Sequence, residues 1–161
     1  MRKGGGHSKG AGFERQICKT LSLWVSKGQS ADVYWRSAMS GGRATVQHRK
    51  GVSIRQAGDI CAVAPEGHTL TEKYFIECKH VRNLDVLSFL LVNKGHLANY
   101  WKVACAQART HKRKPMIIAK ENHSPILVIT HIGELLDYTS PQLTSHARNC
   151  DISLFDDMIL G

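Results

Sequence analysis

Residues 74–80, YFIECKH, have the alternating chemistry of a β-strand with one buried face. Side chains in a strand point alternately to opposite faces, so Ile76 and Cys78 share one face while Glu77 and Lys79 share the other. A surface ion pair at that place would contribute little to stability. A carboxylate and an ammonium on one face of an apolar strand therefore indicate either a solvated pair or part of an active site.

The apolar periodicity of the rest of the chain predicts an α/β fold. An apolar stripe at helical spacing indicates a first helix, and short apolar runs indicate strands before and after two later helices. The predicted elements are a helix at 13–27, strands at 32–36, 58–65 and 72–80, helices at 83–92 and 95–112, strands at 116–121 and 125–130, and a short helix at 133–138. The turn EGHT (66–69) would join the strands on either side of it as a hairpin. This order predicts a mixed sheet with helices on both sides.

The charge balance narrows the classes of partner. The chain has 161 residues, with 22 Lys+Arg against 13 Asp+Glu, and its formal charge of +9 favours a polyanion. Nucleic acid is favoured over a membrane because no basic amphipathic anchor is evident, although such a charge also suits simple solubility.

Cysteine and histidine usage argues against two other classes. The five cysteines include no CxxC pair and the nine histidines are dispersed, which argues against a disulfide framework and a zinc site. The chain also has no hydrophobic signal region and no apolar run of membrane length. We therefore expect an intracellular protein without a membrane partner, in the cytoplasm or nucleoid, or in the host cytoplasm if it is viral.

Three acidic residues and a lysine form the candidate catalytic set. A hairpin would place Asp59 beside Glu77, and two carboxylates that close need a cation between them. Mg²⁺ or Mn²⁺ suits oxygen ligands, and the backbone carbonyl of Cys78 could supply one more. Lys79 would lie near the water that such an ion activates, and Glu14 could hold a second ion or an ordered water. The chemistry indicated is metal-dependent phosphodiester hydrolysis.

The order of these motifs resembles the PD-(D/E)xK nuclease superfamily. Within it, GFERQICKTL, DVYWR, AGDICAV and YFIECKH, followed by YWKVACAQAR and KPMIIAKE, resemble the archaeal-type Holliday junction resolvases over roughly residues 10–121. The resemblance implies a restriction-endonuclease-like central mixed β-sheet flanked by α-helices, usually as a homodimer with two active sites. It implies a nuclease domain over 13–138, preceded by a flexible basic Gly-rich arm (1–12) and followed by a packing or dimer element (139–161).

The resemblance also implies roles for particular residues. The implied metal-site acids and catalytic lysine are Glu14, Asp59, Glu77 and Lys79, and Arg15 and Arg36 correspond to phosphate-contacting arginines. The implied enzyme is a Mg²⁺-dependent, structure-selective DNA endonuclease that resolves four-way or other branched DNA in recombination and repair. Gly58 stands where the motif has proline, and the family's Ser-Gly pair is separated from Asp59 by a basic insertion.

Two further basic segments have alternative interpretations. The insertion at 40–57 is either a DNA-contacting arm or an exposed solubilising loop, and its cations are Arg43, Arg49, Lys50 and Arg55. Lys112 and Arg113 either contact phosphates or belong to a solvated helix end.

Two rival functions remain open from the sequence. Another PD-(D/E)xK nuclease, of restriction-like, nicking or repair type, would share the site and differ in substrate. A non-catalytic nucleic-acid-binding protein would use only the basic surface and show a steep salt dependence of binding. Three acids facing a polyanion are of little use to a pure binder, which favours the nuclease.

Overall fold

The computed structural model describes residues 5–37 and 57–160 of the chain. The helices in this part are α1 (Gly5–Val25), α2 (His68–Lys73), α3 (Val86–Val92), α4 (His96–Thr110) and α5 (Phe155–Leu160). The strands are β1 (Tyr34–Arg36), β2 (Ile60–Ala62), β3 (Tyr74–Val81), β4 (Lys114–Glu121), β5 (Ile126–Thr130), β6 (Leu143–Ser145) and β7 (Cys150–Leu154). None of these helices is long and apolar enough to cross a membrane. The chain forms two compact units, Met1–Ile76 and Glu77–Gly161, and the boundary between them falls within β3.

The first unit is built on α1, which packs against β1. Its buried stripe consists of Phe13, Ile17 and Leu21, spaced four residues apart as one helix face requires. The buried hydroxyl of Ser22 donates a hydrogen bond to the carbonyl of Cys18. It also accepts hydrogen bonds from the backbone N–H groups of Val33 and Tyr34, at 3.1 and 2.9 Å. This hydroxyl therefore fixes the helix to the start of the strand.

Strands β1 and β2 form an antiparallel pair in the same unit. Trp35 lies opposite Cys61 at its centre, and Arg36 lies opposite Ile60. The ladder continues past the strand ends, because the N–H of Ser37 donates to the carbonyl of Asp59 at 2.8 Å. Asp59 is therefore held at the end of this pair.

The second unit contains most of a five-stranded mixed sheet in the order β3-β4-β5-β7-β6. The pairs β4–β5, β5–β7 and β6–β7 are antiparallel. The chain passes from β3 to β4 through α3 and α4, the kind of crossover that parallel neighbours need. The predicted α/β fold with a mixed sheet flanked by helices is confirmed.

The core of the second unit lies between the two crossover helices and the sheet. Phe89 of α3 and Leu97 of α4 are fully buried, and they pack in one cluster with Ile117, Ile129 and the other apolar side chains of that sheet face. Burial of such side chains contributes about 1.5–3 kcal/mol each. This packing supports β4, and Val81 at the end of β3 packs against the same cluster.

The start of α1 differs from the prediction. The helix begins at Gly5 and not at residue 13, so residues 5–12 of the predicted flexible arm are helical. Glycine is about 1 kcal/mol less favourable than alanine in a helix, which makes a Gly-rich run look like a boundary. Each added turn nevertheless repeats the hydrogen bonds of a helix that is already nucleated, so the helix extends through it.

The predicted hairpin between residues 58–65 and 72–80 is wrong. The chain between β2 and β3 forms a 3-10 turn (Pro65–Gly67) and then α2, which buries Leu70 and Thr71. This segment buries side chains of its own and folds as a helix, not as a tight turn. The chain therefore enters β3 in the same direction as the segment at Gly58, and not in the opposite direction as in a hairpin. The contact of Gly58 with Ile76 is consequently a parallel bridge.

The predicted short helix at 133–138 is also wrong, since these residues form turns. Gly133 has a left-handed φ of 80°, and its N–H donates to the Asp151 carboxylate at 2.8 Å. The segment is thus held by a contact with β7 and not by hydrogen bonds of a helix of its own.

Farther along, β7 lies between β5 and β6 and is an inner strand of the sheet. The division of the chain at residues 12 and 138 remains a prediction.

Candidate active site

The pair predicted on the polar face of β3 is formed. Lys79 Nζ donates to Glu77 Oε2 at 2.6 Å, and the two side chains are 29% and 20% exposed. Ile76 and Cys78 are buried on the opposite face, so the strand cannot slide without exposing them. The shared face of Glu77 and Lys79 is confirmed, and the pair is held half-buried at the surface of the second unit.

An aromatic ring that the sequence analysis did not single out completes the surroundings of Lys79. Its Nζ lies 5.7 Å from the centroid of the Tyr100 ring on α4, within the range of a cation–π contact. Tyr100 in turn stacks on His96, one helical turn earlier. No local motif marks Tyr100, because its relation to Lys79 depends on how α4 packs.

In the first unit, the predicted metal-site acid on α1 is paired with a predicted phosphate ligand. Arg36 Nε donates to Glu14 Oε2 at 2.5 Å, and the side chains are 31% and 12% exposed. The pair joins α1 to the end of β1, two helical turns from the Ser22 contacts. Arg36 therefore orients the Glu14 carboxylate in this structure.

Asp59 is fixed by its backbone. Its N–H donates to the carbonyl of Ile76 at 2.8 Å, and its own carbonyl accepts from Ser37 at the same distance. The preceding residue, Gly58, has φ +85°, which favours glycine, and a Cβ there would lie 2.5 Å from the Ile76 carbonyl oxygen. Asp59 is thus tied to the last residue of the first unit, and Glu77 is the next residue in the chain.

The donor chemistry of these residues suits a hard divalent cation. Glu14, Asp59 and Glu77 offer carboxylate oxygens, and Cys78 offers a backbone carbonyl, the ligand types that Mg²⁺ and Mn²⁺ prefer. In residues 5–37 and 57–160, no three side chains of His, Cys, Asp or Glu lie together as a ready-made metal site.

Cysteine chemistry is disfavoured near Glu14. Burial, together with the nearby Cys61 and Glu14, raises the pKa of Cys18 to about 12. Burial likewise raises the pKa of Cys61. At neutral pH both thiols are protonated, so they serve as apolar packing groups and not as nucleophiles or soft metal ligands.

The buried Cys18 thiol gives a testable dependence of stability on pH. The folded protein holds this proton more tightly than the unfolded chain, whose thiol titrates near 9.0. Stability from this group is therefore complete below pH 9.0 and is lost as pH rises toward about 12. We expect the free energy of unfolding to fall more steeply over this range for wild type than for Cys18→Ala, in denaturant titrations at several pH values. Lysine and tyrosine titrate in both proteins, so parallel curves would contradict the expectation.

The remaining residues predicted to contact DNA differ in their exposure to solvent. Arg15 is exposed on α1, Lys112 is exposed just beyond the end of α4, and Arg113 is half-buried with its N–H bonded to the carbonyl of Ala108. Their contacts with phosphate remain predictions. The insertion residues Arg43, Arg49, Lys50 and Arg55 lie outside the described residues.

A protein-family model described as "Phage putative PDDEXK endonuclease" matches residues 5–153. No curated protein and no solved structure matches the chain. The matched range includes the helix of Glu14, the segment of Asp59 and the strand of Glu77 and Lys79.

Proposed function

This chain belongs to the phage PDDEXK endonuclease family, and from that premise we propose that it is a Mg²⁺-dependent DNA endonuclease that cuts branched DNA, with four-way junctions as its preferred substrate. The observation that carries the proposal is the half-buried Glu77–Lys79 pair on β3. A partly exposed ion pair of this kind adds little stability, so its placement on a strand anchored by buried side chains is better explained by chemistry. The phage family supports the cytoplasm of a host cell as the place of action.

The acids and the lysine have distinct roles in this proposal. Glu14, Asp59, Glu77 and the Cys78 carbonyl would hold the divalent cation, which when bound supplies Lewis-acid activation of water and charge neutralisation at the phosphate. Glu77 and the Tyr100 ring together hold the Lys79 ammonium in place. The positive charge at Lys79 Nζ then stabilises the negative charge that develops on the phosphate oxygens.

Arg36 has a positioning role in the same proposal. Its guanidinium orients the Glu14 carboxylate through Nε. Arginine suits this task because its fork remains charged and presents several donors in fixed directions. Arg15, exposed one residue after Glu14, would contact the DNA backbone in this proposal.

Self-association is part of the proposal because a four-way junction has two-fold symmetry. One surface of the second unit supports it: on α3, Leu87, Leu91 and Val92 are 72%, 75% and 60% exposed. The first two are four residues apart and so share a helix face. An exposed apolar face of this kind is typical of a protein–protein contact.

The test is cleavage of a labelled immobile four-way junction, compared with a linear duplex that contains the sequence of two of its arms. We expect paired nicks near the branch with Mg²⁺, none with EDTA, and much slower cleavage of the duplex. Mapping both cuts reports whether they are symmetric, as a homodimer requires.

Each other result selects a rival function. Equal cleavage of junction and duplex would leave a metal-dependent nuclease of another PD-(D/E)xK type. Binding without turnover in any divalent metal, with a steep dependence on salt, would instead indicate a nucleic-acid-binding protein without catalysis. Cleavage that persists in EDTA would contradict the metal dependence.

A further inference from the structure

Trp35 is exposed in a place where the fold does not use its ring. It lies at the centre of β1, and its side chain is 58% exposed, whereas the neighbouring Tyr34 is 1% exposed. Strand alternation accounts for the difference, since the two side chains point to opposite faces. The backbone carbonyl of Trp35 accepts a weak bond from the Cys61 thiol, which any residue at this position would keep. Large aromatic side chains are usually well buried, so this exposure calls for an explanation.

The ring borders a cleft of about 590 Å³ whose charges are mainly positive. Arg15 and Lys19, one helical turn apart on α1, line the cleft together with Arg36, and Asp32 is the acid among the lining residues. Arg36 is engaged by Glu14, whereas the side chains of Arg15 and Lys19 are exposed to solvent. The cleft therefore combines one aromatic face with two cations directed to solvent.

An aromatic face beside cations matches the chemistry of a nucleotide. A base stacks on the ring, and the flanking phosphates meet the cations. In continuous duplex both faces of each base are covered by its neighbours, so a free face is found at a branch point, at an unpaired base or at a duplex end. We propose that this cleft binds an unstacked DNA base on Trp35, with the flanking phosphates on Arg15 and Lys19.

This inference rests on the proposed function for the identity of the partner, and it narrows the substrate class. The first unit would select DNA with interrupted stacking, and selection would precede cleavage. Continuous duplex would still meet Arg15 and Lys19 through its backbone, but it would gain nothing from the ring. The recognition therefore depends on DNA shape and not on sequence.

The experiment measures binding without cleavage. Fluorescence anisotropy in EDTA compares two labelled duplexes of equal length, one fully paired and one with a single-nucleotide bulge. We expect wild type to prefer the bulged DNA, and Trp35→Ala to lose about tenfold in affinity for it with little change for the paired duplex. Trp35→Phe keeps an aromatic face and should retain most of the preference. Leu143→Ala, which truncates another exposed apolar strand residue (48% exposed), is the matched control and should change neither affinity.

Other outcomes overturn the inference. Equal losses on both DNAs would make Trp35 a general contact, and no loss would remove it from the interface. A wild type without preference for the bulge would also overturn it. Thermal unfolding of each variant shows whether it is folded, and Trp35→Phe provides the test if Trp35→Ala is not. A protein that shows the expected binding but never cleaves would overturn the proposed function alone.

Discussion

Asp59→Asn and Glu77→Gln should each lower metal-dependent cleavage by about 10²–10³-fold or more while leaving DNA binding intact. Both changes remove a charge and keep the shape of the side chain. The backbone N–H and carbonyl of Asp59 make hydrogen bonds that asparagine preserves. Glutamine at position 77 can still accept from Lys79 through its amide oxygen. The fold should therefore survive, and the loss should lie in the cleavage step.

Binding in these variants should be unchanged or tighter. Removing a carboxylate from a surface that meets a polyanion removes a repulsion, which favours association. The measurement is single-turnover cleavage of a labelled four-way junction with saturating enzyme and Mg²⁺, alongside affinity in EDTA. Saturating enzyme separates a defect in the cleavage step from one in binding.

A matched control comes from another ion pair of the same length. Lys114 Nζ lies 2.6 Å from Glu134 Oε1 in the second unit, so Glu134→Gln neutralises a similarly paired carboxylate outside the motif. It should cleave like wild type. Wild-type rates in either Asp59→Asn or Glu77→Gln would remove that acid from the site, and equal losses in Glu134→Gln would show a general effect of charge.

Periodic features of the sequence were sufficient to predict part of this fold. The four-residue spacing of Phe13, Ile17 and Leu21 predicts a helix face, and the structure buries all three. Apolar runs likewise predict β4 and β5, which pair as a hairpin. Such features are readable because they depend on neighbours in the chain.

Features that depend on distant segments were not predictable in this way. The end of the first helix is marked by Gly28, but its start depends on how far a nucleated helix extends. The parallel bridge of Gly58 with Ile76 depends on α2. No apolar periodicity in the sequence predicts that this helix forms and is buried. Likewise, β7 is an inner strand because β5 and β6 pair with it on either side, and these pairings join segments that are apart in the sequence.

The candidate site divides along the same line. The shared face of Glu77 and Lys79 follows from a period of two, so the sequence alone predicts it. The contact of Glu14 with Arg36 joins residues 22 positions apart, and only the family resemblance indicated that both matter. Tyr100 was missed since its ring meets Lys79 only through the packing of α4.

Gly58→Ala should reduce both stability and cleavage, although it removes no functional group. The residue has φ +85°, where an added Cβ costs roughly 1–2 kcal/mol. That Cβ would also lie 2.5 Å from the carbonyl oxygen of Ile76 and 3.0 Å from its nitrogen. These are backbone atoms of β3, which cannot turn aside as the end of a side chain can. We therefore expect the bridge to open and the total loss in unfolding free energy to exceed the strain alone.

Gly28→Ala isolates the cause of that loss. Gly28 has φ +83°, nearly the same backbone conformation, but a Cβ there meets no atom within 4 Å. Its substitution should cost only the strain and leave cleavage unchanged. In Gly58→Ala the Ile76 carbonyl must retreat from the segment that carries Asp59, and a displacement of about 1 Å at a reacting group can cost about 10²-fold in rate. Denaturant unfolding and single-turnover cleavage of both variants measure the difference, and equal effects would show that the close contact of Gly58 with β3 is irrelevant.

Proline, which the motif has in place of Gly58, is fixed near φ −65° and cannot adopt this backbone. Glycine therefore permits a close approach of the Asp59 segment to β3 that the motif's proline would prevent.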